Sequence, residues 1–449
     1  MPLAPAVEPI RASERSSPHT RLLAYYPWLL VLLLTAVAAL LRFHFLGQKS
    51  VWIDEGVTIE MARLGWYNFL RILWRHEANM AFYTVLLRFW LPFGDSEAWI
   101  RTLSVVAALA TIPAVFVLGR KLFDARVGVT AAFLLTCNAF HVRYSQEARS
   151  YTLFTLLSVF SSIYFLQALG DRRQESRRAH VATSALAVYT HLFAVFLACV
   201  QWFSLKWIEP REAGGAMRKS WRQFAVASVP LLLFVVTTGF GVLRWIPRPD
   251  WGSLYITAVF LSGGGGARLL WLYLAACALA VLPAVPRWFN FRRLSWNEWR
   301  YAFLTGWLLL PILTVFIVSQ WKPCFLARYF IFTLPAMAVL AAAGIARLRS
   351  RWLMGGALLL FALWALPPVQ SGYQKDLDIG REDFRAATRY ILARSQPGDA
   401  ILFHQPIARM PYEYYRSVTP ASAYPTVLYP QHGDHLTFRD FYAGHAPKN

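Results

Sequence analysis

Charge is scarce in this chain of 449 residues, with Asp, Glu, Lys and Arg making up 15% of it against 57% hydrophobic residues. Soluble domains carry about 25% charged residues, and a mean hydropathy of +0.39 excludes a soluble globular fold of this length. Acids are the scarcer sign, 24 against 45 Lys and Arg, for a formal net charge of +21. The basic residues fall in short clusters between apolar runs, which reads as membrane topology and argues against a nucleic-acid partner. Cysteine is scarce too. Cys137, Cys199, Cys277 and Cys324 are scattered without metal-type spacing, so neither a disulfide framework nor a cysteine metal site follows.

What is present is apolar and aromatic. Runs at 25–41, 103–119, 127–140, 152–169, a short hairpin over 181–207, then 224–241, 269–285, 302–319, 329–346 and 352–366 predict an all-α polytopic membrane protein with eleven spans. Residues 1–21 form a polar cytoplasmic tail, 22–369 the transmembrane domain, and 370–449 an outer C-terminal region with a helix over 383–394 and a strand over 400–403. Arg42 and His44 fall near the interface. The first outer loop, 47–99, is amphipathic, and its Trp52, Trp66, Trp74, Trp90 and Trp99 suit helices lying on a bilayer surface. The glycine run 263–266, in an outer loop over 242–266, lacks the strand-to-helix context of a phosphate loop and reads as a flexible turn.

With so few acids, their placement carries information. Asp54 and Glu55 follow directly on the first span, where carboxylates are costly unless they serve a polar site. Other polar groups expected on the same face are His76, Glu147, Arg149, His191, Arg244, Lys322 and Arg328. A carboxylate can take the proton of an acceptor hydroxyl while cations stabilise a departing phosphate, which is the chemistry of sugar transfer from a lipid phosphate. Arg328, helped by Lys322, Arg149 or Arg244, is the candidate phosphate holder. His76-Glu77 begins a zinc-protease motif, but Met80 stands where its second histidine belongs. Asp376 and Asp378 make an isolated Asp-x-Asp, read as a solvated loop. No cofactor is required by these residues, and a divalent metal is left open.

The stretches Trp52-Ile53-Asp54-Glu55, Phe93-Gly94-Asp95-Ser96-Glu97 with Arg101, Gly119-Arg120-Lys121-Leu122-Phe123, Tyr144-Ser145-Gln146-Glu147-Ala148-Arg149-Ser150-Tyr151, Tyr189-Thr190-His191, Arg328-Tyr329 and Asp383 to Tyr390 carry a resemblance. The chain resembles GT-C membrane glycosyltransferases that use polyprenyl-phosphate sugars, relatives of the protein O-mannosyltransferases and lipid A aminoarabinose transferases. The resemblance implies a GT-C-like helical bundle in a bacterial inner membrane, with its active site outside. It also implies Asp54 as catalytic base with Glu55 beside it, Glu147 as a second acid, and His76, His191 and Tyr151 as further site residues. Inverting transfer to a lipid, glycan or protein hydroxyl follows. Glu77, Ala78 and Asn79 stand where many relatives have two prolines after the histidine. A transporter or flippase for a lipid-linked or anionic substrate is the reading from another class, since intramembrane acids and arginines also mark substrate paths.

Overall fold

A computed structural model describes residues 18–75, 78–170, 173–207, 214–238, 245–288, 294–374 and 383–429. The first half of the described chain holds α1 (Pro18–Phe43), α2 (Ile53–Arg63), α3 (Trp66–Arg75), α4 (Ala81–Trp90), α5 (Glu97–Leu122), α6 (Ala125–Thr136), α7 (Ala139–Ser145), α8 (Tyr151–Gly170), α9 (Gln174–Thr190) and α10 (Ala194–Ser204). The second half holds α11 (Gly214–Thr238), α12 (Trp251–Leu261), α13 (Gly266–Val281), α14 (Val285–Trp288), α15 (Trp296–Val318), a 3-10 stretch Ala327–Thr333, α16 (Leu334–Ile345), α17 (Arg351–Gln374), α18 (Phe384–Arg394) and α19 (Arg409–Val418). Two short parallel strands, β1 (Ala400–Leu402) and β2 (Thr426–Tyr429), complete it.

The helical membrane fold agrees with the sequence reading, but among the described residues the candidate spans do not reach eleven. Among the described residues seven helices are long and apolar enough to cross a bilayer, or nine if each of two bent pairs is one span. The expected hairpin over 181–207 accounts for the shortfall. It becomes α9, whose first half is polar, and α10, whose 11 residues reach only about 16 Å against a ~30 Å hydrocarbon core. The run 127–140 is not one straight helix either: α6 and α7 meet at 63°.

That bend has an identifiable cause. Asn138 caps α7 by accepting from the His141 backbone N–H at 3.0 Å, and the Arg42 guanidinium donates to the last carbonyls of α6, Leu135 at 3.3 Å and Thr136 at 3.4 Å. A cation at a helix C-terminus meets the negative end of the helix dipole. Arg42 is therefore fully buried, and it also meets His141 Nδ1 at 2.9 Å. The expected loop over 242–266 contains α12, which meets α13 at 78° through Gly263, Gly264 and Gly266, all at positive φ. The glycine run is a defined corner.

α16 is the centre of the bundle, with every one of its residues buried, while the exposed apolar faces of α1 and α17 suit lipid. At the end where α1 stops and α5 starts, α2 and α4 pack together, and the C-terminal helices close over them. α19 lies on α2 so tightly that a Cβ on Gly56 would fall 2.7 Å from the Pro411 nitrogen. Val51 N–H donates to the Tyr415 hydroxyl at 2.6 Å, and Arg385 of α18 pairs with Glu97 while donating to the Gly47 and Lys49 carbonyls. Trp90 and Trp99 stack at 4.8 Å, each indole N–H donating to the other's carbonyl.

This contact contains a titrating group. Burial, with Glu413 adding to it and Arg63 opposing, pushes the Glu60 carboxyl of α2 up to about 7. A carboxyl raised on folding binds its proton more tightly in the folded state, so between about 4.5 and 7 its contribution to stability declines as pH rises. The apparent Tm of the detergent-solubilised protein should fall across that window more steeply than that of Glu60→Gln. A wild-type-minus-variant difference that does not change with pH contradicts the assignment.

Candidate active site

The acid pair sits in the first turn of α2, where the positive end of the helix dipole favours carboxylates. Its two members do different things. Glu55 is 1% exposed, and Arg101 Nε and Nη2 donate to its two oxygens at 2.9 and 2.7 Å. The Ala148 backbone N–H adds a third bond at 2.7 Å. Arg101 spends its remaining donors on the carbonyls of Leu46, Lys49 and Ser50. Asp54 instead keeps 28% of its side chain exposed, and its Oδ2 lies 3.7 Å from both Arg149 Nη2 and Arg328 Nη2.

Each arginine is held from behind. Arg149 Nη1 donates to the Thr58 hydroxyl at 2.8 Å and to the Asp54 carbonyl at 3.2 Å, while the Arg149 carbonyl accepts from the Ser104 hydroxyl at 3.1 Å. Arg328, in the turn before α16, lies 5.6 Å from the Trp52 ring centre and 6.0 Å from that of Trp245, within cation–π range. Glu147 is buried and pairs with Arg143 Nε at 3.6 Å. Tyr151 opens α8 fully buried, edge-on to Tyr144 at 4.9 Å.

His191 follows α9, stacked on Phe154 at 4.9 Å and 5.0 Å from the Tyr329 ring. Burial, reinforced by the Arg149 and Arg328 guanidinium groups, pushes its imidazole down to about 3, so it is neutral at physiological pH. Asn79, just before α4, accepts from the Leu192 backbone N–H at 2.8 Å and so ties the first loop to this turn.

Of the residues singled out in the sequence, Asp54, Arg149, Arg328, Tyr151 and His191 thus gather at one end of the bundle, with Glu55 and Glu147 buried beside them. Lys322 is exposed in the segment between α15 and the 3-10 turn. His76, Arg244, Asp376 and Asp378 lie outside the described residues. Among the described residues no three His, Cys, Asp or Glu side chains cluster closely enough to hold a metal. Sequence reasoning gave no role to Arg101, Thr58 or Asn79. For Arg101 a signal existed: an arginine five residues into a 26-residue apolar helix needs a buried partner.

A family model described as dolichyl-phosphate-mannose-protein mannosyltransferase matches residues 77–211, which include Arg101, Glu147, Arg149, Tyr151 and His191. Among solved structures, ArnT from Cupriavidus metallidurans in the apo state is similar over 92% of this chain and 88% of that chain, with a TM-score of 0.60 at 14% identity. The same protein bound to undecaprenyl phosphate is similar over 86% and 84%, with a TM-score of 0.59. The chain thus has the GT-C-type fold of ArnT. An oligosaccharyltransferase from Archaeoglobus fulgidus shares this GT-C fold at a TM-score of 0.51 and 14% identity, over 89% of this chain and 62% of that chain. Among curated protein sequences none matches. The GT-C relationship agrees with the family resemblance and the fold class read from the sequence.

Within this GT-C bundle the Glu55–Arg101 pair has a testable consequence. Removing one partner of a buried pair leaves an uncompensated charge, at about 3–5 kcal/mol. Glu55→Ala should therefore lower the thermal stability of the purified protein by an amount of that order. A variant as stable as wild type would contradict a bridging role for Glu55.

Proposed function

We propose that the chain transfers a sugar, with inversion, from a polyprenyl-phosphate donor to a hydroxyl of a lipid, glycan or protein acceptor at the outer face of a bacterial inner membrane. The observation that carries this reading is the Asp54 carboxylate, open to solvent on one side and flanked at 3.7 Å by two guanidinium groups. The undecaprenyl phosphate bound by the ArnT neighbour supports the choice of donor.

In this mechanism the acceptor hydroxyl approaches Asp54, which takes its proton. The hydroxyl oxygen forms a bond to the anomeric carbon as the bond from that carbon to the phosphate oxygen breaks, and the bonding pair leaves with the phosphate. A single displacement from the face opposite the phosphate inverts the anomeric centre. Arg149 and Arg328 neutralise the charge that develops on the leaving group, with Lys322 at the rim. Glu55 and Glu147 act through Arg101 and Arg143, by fixing the two segments that bear Asp54 and Arg149.

Asp54→Asn keeps the shape but cannot accept the proton, so transfer in the purified protein should fall ~10²- to 10⁴-fold without loss of folded material. Activity within threefold of wild type would sink the base assignment. Arg328→Lys should be less active than wild type and Arg328→Ala lower by at least about tenfold, because a point charge replaces a two-pronged fork and then nothing does. Equal donor affinity and turnover in all three proteins would make Arg328 a lipid-interface anchor. Transport without transfer of the labelled sugar would favour a flippase.

Sidedness is tested separately, in a background whose four native cysteines are replaced. Cysteines at the exposed positions Asp95 and Arg173 should behave oppositely towards an impermeant thiol reagent on intact cells, the first labelled and the second protected. The reverse pattern overturns the topology.

A further inference from the structure

The buried polar atoms at the site without a hydrogen-bond partner include two neutral ring groups sealed from solvent, the Tyr151 hydroxyl and His191 Nε2. Their side chains are 0% and 1% exposed. Buried polar groups are costly to leave unsatisfied, so two of them on neighbouring rings point to a ligand that completes them.

The His191 proton can be placed by its neighbours. Its Nδ1 accepts from the Phe193 backbone N–H at 3.3 Å, so in the neutral ring the proton resides on Nε2, the unpartnered atom. Nε2 is thus a fixed neutral donor. The ring cannot readily turn to find another partner, because it lies flat against Phe154 at 9° and edge-on to Phe193 at 5.2 Å. The Tyr151 ring is 6.5 Å away, centre to centre.

Exposure, rather than distance, distinguishes these donors from the charged ones, since the Tyr151 hydroxyl lies within electrostatic reach of Arg328, Arg149 and Asp54. Asp54, Arg149 and Arg328 keep 28%, 12% and 16% of their side chains exposed, whereas Tyr151 and His191 are sealed among Phe154, Tyr144 and Tyr329. Charged forks suit a phosphate, and neutral donors beside aromatic rings suit the hydroxyls and C–H faces of a sugar. Charge sets a further limit. Two carboxylates, Asp54 and Glu147, meet three guanidinium groups, Arg143, Arg149 and Arg328. The surplus positive charge matches one phosphodiester, and an ammonium on the sugar would restore the imbalance in a poorly solvated place.

We propose that Tyr151 and His191 form the sugar subsite and that this subsite takes the hydroxyls of an uncharged sugar. The assignment rests on the sugar-transfer reading above. On binding, His191 Nε2–H donates to one sugar oxygen and the Tyr151 hydroxyl to another.

The test uses purified full-length protein, polyprenyl phosphate alone, a polyprenyl-phosphate hexose, and the same donor with one hydroxyl replaced by an amine. Tyr151→Phe and His191→Phe should each weaken binding of the hexose donor roughly tenfold and leave polyprenyl phosphate within twofold of wild type. His191→Gln, which keeps an N–H donor, should recover part of the loss and guards against a folding artefact. Wild type should prefer the hexose over the amino-sugar donor by at least about tenfold in kcat/KM. Equal weakening of polyprenyl phosphate would assign the pair to the phosphate and overturn the proposal, as would equal or faster turnover of the amino-sugar donor. A wild type that binds donor but transfers neither sugar would overturn the transfer reading itself.

Discussion

The site depends on one buried ion pair. Arg101 and Glu55 satisfy each other inside the protein, and each uses its spare capacity to hold something else: three carbonyls over residues 46–50 for the arginine, the Ala148 N–H for the carboxylate. Asp54 is the residue before Glu55, and Arg149 is the residue after Ala148. The two groups proposed to do chemistry are thus each one peptide unit from the same carboxylate. The proposed base and the proposed phosphate holder, from distant parts of the chain, gain a common origin in this way, which preorganisation for catalysis requires.

Elsewhere polar groups in the bundle are satisfied by helix ends. Arg42 meets the carbonyl terminus of α6, and Asn138 serves the first turn of α7 while its amide donates to the Leu261 carbonyl at 2.9 Å. The bend between α6 and α7 points the following segment, Arg143 to Arg149, at α2. A straight helix over 127–140 would carry those residues elsewhere.

Hydropathy made the long spans legible, because a helix that faces lipid must be apolar along its whole length. It could not resolve α9, α10 or the bent pairs, because helices buried against protein are free to be short, broken or half polar. The break at Cys137–Asn138 has neither proline nor glycine; it is made by an arginine almost a hundred residues earlier, a pairing that no local pattern encodes. Asp54 and Glu55 stood out as adjacent acids at a span end, yet adjacency cannot say which is paired. That depends on Arg101, which the sequence placed in a motif without giving it a partner. His191 was visible as a turn residue, but its tautomer depends on one backbone N–H and became readable only with the fold.

The contact between α2 and α19 bears on how the protein is made. Val51 N–H and its acceptor on Tyr415 are 364 residues apart, and Gly56 rests against Pro411 across a similar span of chain. At a synthesis rate of about 5–20 residues per second, roughly 20 to 70 seconds separate the emergence of these partners. During that interval the helix bearing Asp54 has entered the membrane system without the surface that fixes it. Completion of the candidate site waits for the synthesis of α19.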